Sequence, residues 1–224
     1  MAPHHVPMEA QTEPVLIFVL GAPCSGKSSL CAELSHCYAL DHLSIGNELR
    51  ELISPNPSPP IARIKSMLSA SEIETFTSNV TSGTLAPIHL TPKYVKERIF
   101  PTGGDHDNIR CLIDGFPRDA ARWQVFKQYV KEFWTPDERA ILIVMNIEEE
   151  LAHERFVSRG RAGDVFEKRF NEYERTIPEI IGAMDKDRMT IVGIPKGVNN
   201  GEGDLTEFVA ERLEGTEAWE RVDD

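Results

Sequence analysis

The sequence predicts an α/β fold in which helices flank a mostly parallel β-sheet, and three observations predict it. Short continuous apolar runs recur along the chain: PVLIFVL at 14–20, CLID at 111–114, AILIVMNI at 140–147 and MTIVGI at 189–194. Runs without polar alternation suit strands buried on both faces, the condition of a parallel sheet covered by helices. Amphipathic helical patterns fill the intervals between them. The first run also ends at Gly21 in the stretch GAPCSGKSS, so the chain opens as strand, glycine-rich turn and helix.

Taken in order, the elements justify themselves locally. After Lys27, the residues Leu30, Leu34 and Tyr38 recur at helical spacing. The stretch 46–92 breaks the alternation of strand and helix and reads as a helical insertion. Within it, the prolines of SPNPSPP at 54–60 forbid a regular helix, and IARIKSMLSASEIETFTSNV at 61–80 resumes a helical pattern. Thr91 is the expected N-cap of a further helix, with Pro92 at its first position and Val95 and Ile99 on its apolar face. FPTGGDHDN at 100–108 is a loop ahead of the CLID strand. In EEELAHERFVSRG, Glu148, Glu149 and Glu150 sit at the start, Arg159 at the end and Gly160 just beyond. That order matches the helix dipole and the glycine stop signal. Residues 1–13 carry no signal-peptide pattern and read as a disordered leader to a single domain at 14–224. His4 and His5 belong to that polar tail.

The composition narrows the function. With 36 acidic and 24 basic side chains the formal net charge is −12, which argues against a nucleic-acid or anionic membrane surface. An anionic ligand must then be held by a local arginine or backbone-amide site. No apolar run is long enough to span a bilayer. The cysteines Cys24, Cys31, Cys37 and Cys111 form no C-x-x-C pair. Their spacing fits reduced thiols in a cytoplasmic protein, with Cys24 a small side chain in a tight loop.

Gly21, Ala22, Pro23, Cys24, Ser25, Gly26, Lys27 and Ser28 spell the pattern G-x-x-x-x-G-K-S, placed between a strand and a helix as a phosphate-binding loop requires. In such a loop the backbone amides and the helix N-terminus face phosphate oxygens. Lys27 would reach the β- and γ-phosphates, and Ser28 or Ser29 would ligate magnesium. Asp114 ends an apolar strand just before Gly115, where it would hold the metal directly or through water, or cap a helix. Arg155 and Arg159 lie four apart and so share a helix face. Arg161 and Arg169 follow. With Arg50 and Arg118 they form the positive set that transfer between two phosphates needs, since the transition state spreads negative charge over oxygens.

At LIDGFPRD, 112–119, the sequence resembles the nucleoside monophosphate kinases, the adenylate and UMP/CMP kinases. Four further segments agree in order: GAPCSGKSS, HLSIGNELR at 42–50, GTLAP at 83–87, and ERFVSRGRAGD followed by KRFNEY. The likeness runs from about 15 to 209. It implies a P-loop nucleoside triphosphate hydrolase-type sheet with a monophosphate-binding insertion at about 46–92 and a very short lid at about 159–168. It further implies Mg2+ with ATP as phosphoryl donor, a nucleoside monophosphate as acceptor, and a monomer. In that reading Lys27, the loop through Ser29, and Arg155 hold ATP. Arg118, Arg155, Arg159, Arg161 and Arg169 serve transfer. Ser44, Gly46, Arg50, Leu85, Pro87, Gly115, Arg118 and Arg122 form the acceptor site.

The resemblance has departures. Cys24 and Ser28 stand where the family usually has glycine. Gly163 replaces the first aspartate of the lid pattern, and Arg122 occupies the position of a base-reading glutamine or asparagine. An arginine offers only donors, which suits the acceptor atoms O2 or N3 of a pyrimidine, or N1 of a purine. The long loop before CLID also leans toward UMP/CMP, with AMP next. Two other readings fit parts of the pattern: a catalytically weakened nucleotide-binding protein, and a P-loop kinase for a non-nucleotide acceptor.

Overall fold

The computed structural model describes residues 13–104, 106, 108–160, 165–198 and 205–223. The leader expected at 1–13, all but its last residue, lies outside them, as do Arg161 and the centre of the expected lid.

The chain begins with β1 (Val15–Gly21), turns through the glycine-rich loop and enters α1 (Lys27–Cys37). A short strand, β2 (Asp41–Ser44), leads into four helices: α2 (Ile45–Leu52), α3 (Pro59–Met67), α4 (Ala70–Ser82) and α5 (Leu90–Ile99). Then come β3 (Arg110–Asp114), α6 (Ala120–Val130), β4 (Ile141–Met145), α7 (Glu149–Arg159) and α8 (Phe166–Lys186). The chain continues through β5 (Thr190–Ile194), α9 (Leu205–Leu213) and α10 (Glu217–Asp223). The five strands form one sheet in the order β2-β3-β1-β4-β5, and every pairing is parallel.

The sheet is covered on both faces, as the unbroken apolar runs require. Along β1, Leu16, Phe18 and Leu20 point to one side, into a core shared with α5, α6 and α8. Val15, Ile17 and Val19 point to the other, against α1, α9 and α10. This period-2 division lets one strand anchor two cores. Phe18 is fully buried and meets Trp123 edge-to-face at 5.2 Å between ring centroids. On the opposite side, Arg110 at the start of β3 donates to the carbonyls of Tyr38, Arg221 and Val222, tying α10 to the sheet.

Four local expectations change. β2 has no counterpart among the apolar runs, because DHLS is a four-residue edge strand with one buried side chain. Pro59 and Pro60 do not lie in a break. They occupy the first two positions of α3, where an amide donor is not needed. The helical pattern at 61–80 divides at Leu68, and Ser69 caps α4 through a reciprocal box with Glu72. In α5 the cap position belongs to His89; Thr91 and Pro92 lie buried in the first turn. At the end of α7, Gly160 takes a left-handed conformation, φ 58°, as the stop signal predicts.

Candidate active site

The glycine-rich loop sits at the carboxyl end of the central strand, where open α/β sheets bind ligands. Its path is set by contact as well as by conformation. A side chain on Gly21 would place Cβ 2.7 Å from both the Met145 carbonyl and Ser25 Oγ. Cys24 adopts φ 60°, a left-handed conformation unusual for a residue with a side chain. Lys27 Nζ curls over the loop and donates to the carbonyls of Gly21, at 2.8 Å, and Ala22, at 2.9 Å. Burial lowers the Lys27 pKa to about 8; Asp114 opposes that shift, while Arg118 and Arg169 add to it.

Beneath the loop, Ser28 Oγ donates to Asp114 Oδ2 at 3.0 Å. Ser44 Oγ, at the end of β2, donates to the same oxygen at 3.5 Å. Burial pushes the Asp114 carboxyl up, but His42, Lys27 and Ser28 outweigh it and hold the group below the ordinary aspartate range. Of the two serines open to the metal role, Ser28 faces this carboxylate. Ser29 lines a smaller depression on the outer side of the loop, with Arg155 and Arg159.

A cleft of about 990 Å³ opens above Asp114. The loop contributes Gly21, Pro23, Cys24, Lys27 and Ser28, while Ser44, Gly46 and Arg50 line it from β2 and α2. Gly115 and Arg118 come from the turn after β3, which contains a cis peptide at Phe116–Pro117, and Arg159 and Arg169 from α7 and α8. Cys24, Ser25 and Gly26 continue into the smaller depression, and Ala22 is buried under the loop. Arg118 donates to Glu172 on α8 at 3.3 Å. Burial pulls its pKa down, opposed by Glu172 and reinforced by Arg169. Arg50 donates to Asn47 one turn earlier on the same helix.

The structure does not bring every expected residue to this cleft. Leu85 lines a separate shallow cavity with Glu172 and Arg175 on α8, so Glu172 stands between the two spaces. Pro87 is exposed and outside the cleft. Arg122 is 8% exposed, and its guanidinium is committed to Asp119 and to the Ala86 carbonyl. It ties the segment 83–87 to α6 and does not open onto the cleft. Sequence reasoning does not single out Asn47, Glu172 or Tyr173, all of which sit at or beside the arginines of the cleft. The pairing of Glu172 with Arg118, 54 residues apart, has no signature in sequence spacing. Arg161 lies outside the described residues.

Behind the cleft, Glu48 on α2 is a buried carboxylate. It accepts from the Tyr94 hydroxyl at 2.7 Å and from Arg98 Nε and Nη2 at 2.9 and 3.0 Å. This bidentate pair fixes α2, and with it Arg50, against α5.

Comparison with known proteins extends beyond the cleft. Residues 20–168 match the family described as AAA domain. UMP-CMP kinase 3 of Arabidopsis thaliana is 33% identical over 175 residues, covering 75% of each chain. Human UMP-CMP kinase is 27% identical over 180 residues, 75% of this chain and 83% of the relative. Adenylate kinase isoenzyme 1 of Caenorhabditis elegans is 28% identical over 162 residues, 70% and 67%. Because a relative 33% identical covers three quarters of both chains, and the family match takes in the phosphate-loop region, the protein belongs to the nucleoside monophosphate kinase family.

Proposed function

We propose that the protein transfers the γ-phosphoryl group of ATP to a pyrimidine nucleoside monophosphate, UMP or CMP, with AMP the next acceptor. One observation carries the reading. On a chain of net charge −12, Lys27, Arg50, Arg118, Arg159 and Arg169 converge on a single cleft floored by Asp114. The names of the relatives from Arabidopsis and human support the pyrimidine preference.

In this reading the loop from Gly21 to Ser29, together with Lys27, binds the donor phosphates, and Arg155 flanks them from the outer depression. Arg50 and Arg118 hold the acceptor phosphate. The Asn47 and Glu172 contacts orient those two guanidinium groups before substrate arrives, which lowers the ordering cost of binding. Arg159 and Arg169 supply positive charge between the two phosphates, where the equatorial oxygens of the transferred group become most exposed. The helices α2 to α5 form the acceptor-binding insertion, and Leu85 lies on the side of Glu172 toward which the acceptor base extends.

Ser28 and Asp114 are hard oxygen donors, and the carboxylate is held ionised, so the pair fits magnesium. Held there with ATP, the ion would supply positive charge to neutralise the negative charge that develops on the phosphoryl oxygens. The chain itself orients the donor, positions the acceptor and excludes water.

The test is ADP formation by the purified protein with Mg-ATP, offering UMP, CMP, dCMP, AMP and GMP separately. UMP or CMP is expected to give the highest kcat/KM. Lys27→Ala should lower it by at least roughly 100-fold, on the scale of losing one preorganised charge-stabilising donor. Measurable ATP binding without turnover on any acceptor would overturn the proposal.

A further inference from the structure

Cys31, His42 and Asp114 come from three different elements: α1, the edge strand β2 and its neighbour β3. Their ligand atoms all lie within 4.8 Å of one another. His42 Nε2 is buried and has no hydrogen-bond partner, although a ring nitrogen so placed ordinarily has one. It faces Asp114 Oδ2 at 3.8 Å. Tetrahedral zinc, with bonds of about 2.0–2.3 Å, holds its ligand atoms roughly 3.3–3.8 Å apart. The histidine–aspartate separation exceeds the nitrogen–oxygen end of that range by only a few tenths of an ångström, and the thiol lies no more than 4.8 Å from either partner atom, so small side-chain adjustments complete the site.

We propose that Cys31, His42 and Asp114 form a binding site for a borderline-soft divalent metal ion, zinc in the first instance, distinct in chemistry from the magnesium site with which it shares Asp114. A thiolate, an imidazole and a carboxylate with a fourth position for water are a zinc donor set; magnesium prefers oxygen donors throughout. Coordination releases the Cys31 thiol proton to solvent and involves no electron transfer. The half-buried His42, on the outermost strand, provides the approach from solvent: its side chain is 22% exposed while that of Asp114 is 6% exposed. Engaging Asp114 Oδ2 withdraws the oxygen that Ser28 now contacts, so the ion acts as an inhibitor competing with magnesium. That consequence rests on the kinase reading; the existence of the site does not.

The test uses the reduced full-length protein without nucleotide. Cobalt(II) serves as the spectroscopic probe, and zinc is followed by calorimetry. One equivalent of cobalt should give a thiolate-to-metal charge-transfer band and the intense visible absorption of a tetrahedral site. Both should disappear in Cys31→Ala and in His42→Gln, with melting curves confirming that each variant is folded. Zinc affinity should fall in each by more than the roughly 10- to 100-fold typical of losing an outer-shell partner. In turnover assays zinc should inhibit the unmodified protein, with relief by a chelator, and should leave Cys31→Ala unaffected. The proposal is overturned if no thiolate band forms, or if the band survives Cys31→Ala and vanishes in Cys37→Ser, which would assign it to the exposed His36–Cys37 pair. Loss of the band and failure of phosphoryl transfer are separate readouts, so the two readings fail independently.

Discussion

At Cys24 a side chain occupies backbone space that favours glycine, and the family resemblance expects glycine at that point. The left-handed conformation costs a residue with a Cβ about 1–2 kcal/mol. Part of that is returned when the unfolded chain is made freer by glycine. Cys24→Gly is therefore expected to stabilise the protein by up to about 1 kcal/mol in urea denaturation, and a loss of stability would mean that the thiol makes a compensating contact. Lys27 carries a pH dependence. With its folded pKa near 8 and an ordinary lysine value of 10.5 in the unfolded chain, the unfolded chain binds more protons between those limits, so this residue makes stability rise with pH across that window. Phosphate binding favours the charged lysine and works in the opposite sense. ATP affinity should fall as pH rises through about 8, and calorimetry in buffers of different ionisation enthalpy should show proton uptake on binding at about pH 8.5. Lys27→Met should abolish that uptake. The loop's pattern and position were legible because each residue type has a local job. The choice between Ser28 and Ser29 was not, since it depends on which hydroxyl faces a carboxylate 86 residues away.

Elements were legible where burial is symmetric. β1, β3, β4 and β5 announce themselves as apolar runs because helices cover both of their faces. β2 does not, since an edge strand of four residues needs little apolar surface. The boundary between α3 and α4 had a local signal, the S-x-x-E of Ser69 and Glu72, masked by apolar periodicity running through it. Arg122 shows a deeper limit: its position invites a recognition role, but its two terminal nitrogens are taken by Asp119 and Ala86, a fact that only the folded chain reveals. The contact between α2 and α5 yields a prediction. Glu48→Gln leaves Arg98 without its carboxylate, and breaking such a buried pair costs roughly 3 kcal/mol. Because α2 carries Arg50, the variant is also expected to raise KM for the acceptor more than KM for ATP in steady-state assays. An equal rise in both would show that the pair serves stability alone.

For the molecule as a whole, the sheet is the partition between two cores, and the arginine-lined cleft lies at its carboxyl edge. Phe18 sits in that partition, touching Trp123, Phe126 and Trp134. Phe18→Ala should cost about 3–5 kcal/mol, read from the urea midpoint followed by tryptophan fluorescence, with the cleft residues untouched. Among the described residues no helix is long and apolar enough to cross a membrane. The acidic surface leaves the arginine-lined cleft as the place where anions gather.

The strand order sets a timetable. β1 is the first strand to be synthesised, yet it lies in the middle of the sheet, and Ile17 must wait for Ile141, 124 residues later. At translation rates of about 5–20 residues per second, that delay is roughly 6–25 s. For most of that interval β1 has neither of its neighbours, since β3 arrives only 95 residues after it, Val15 pairing with Arg110. The ribosome thus exposes the centre of the future sheet longer than its rim, and a chaperone acting on this protein in the cell has its natural target in a strand that the finished molecule buries on both faces.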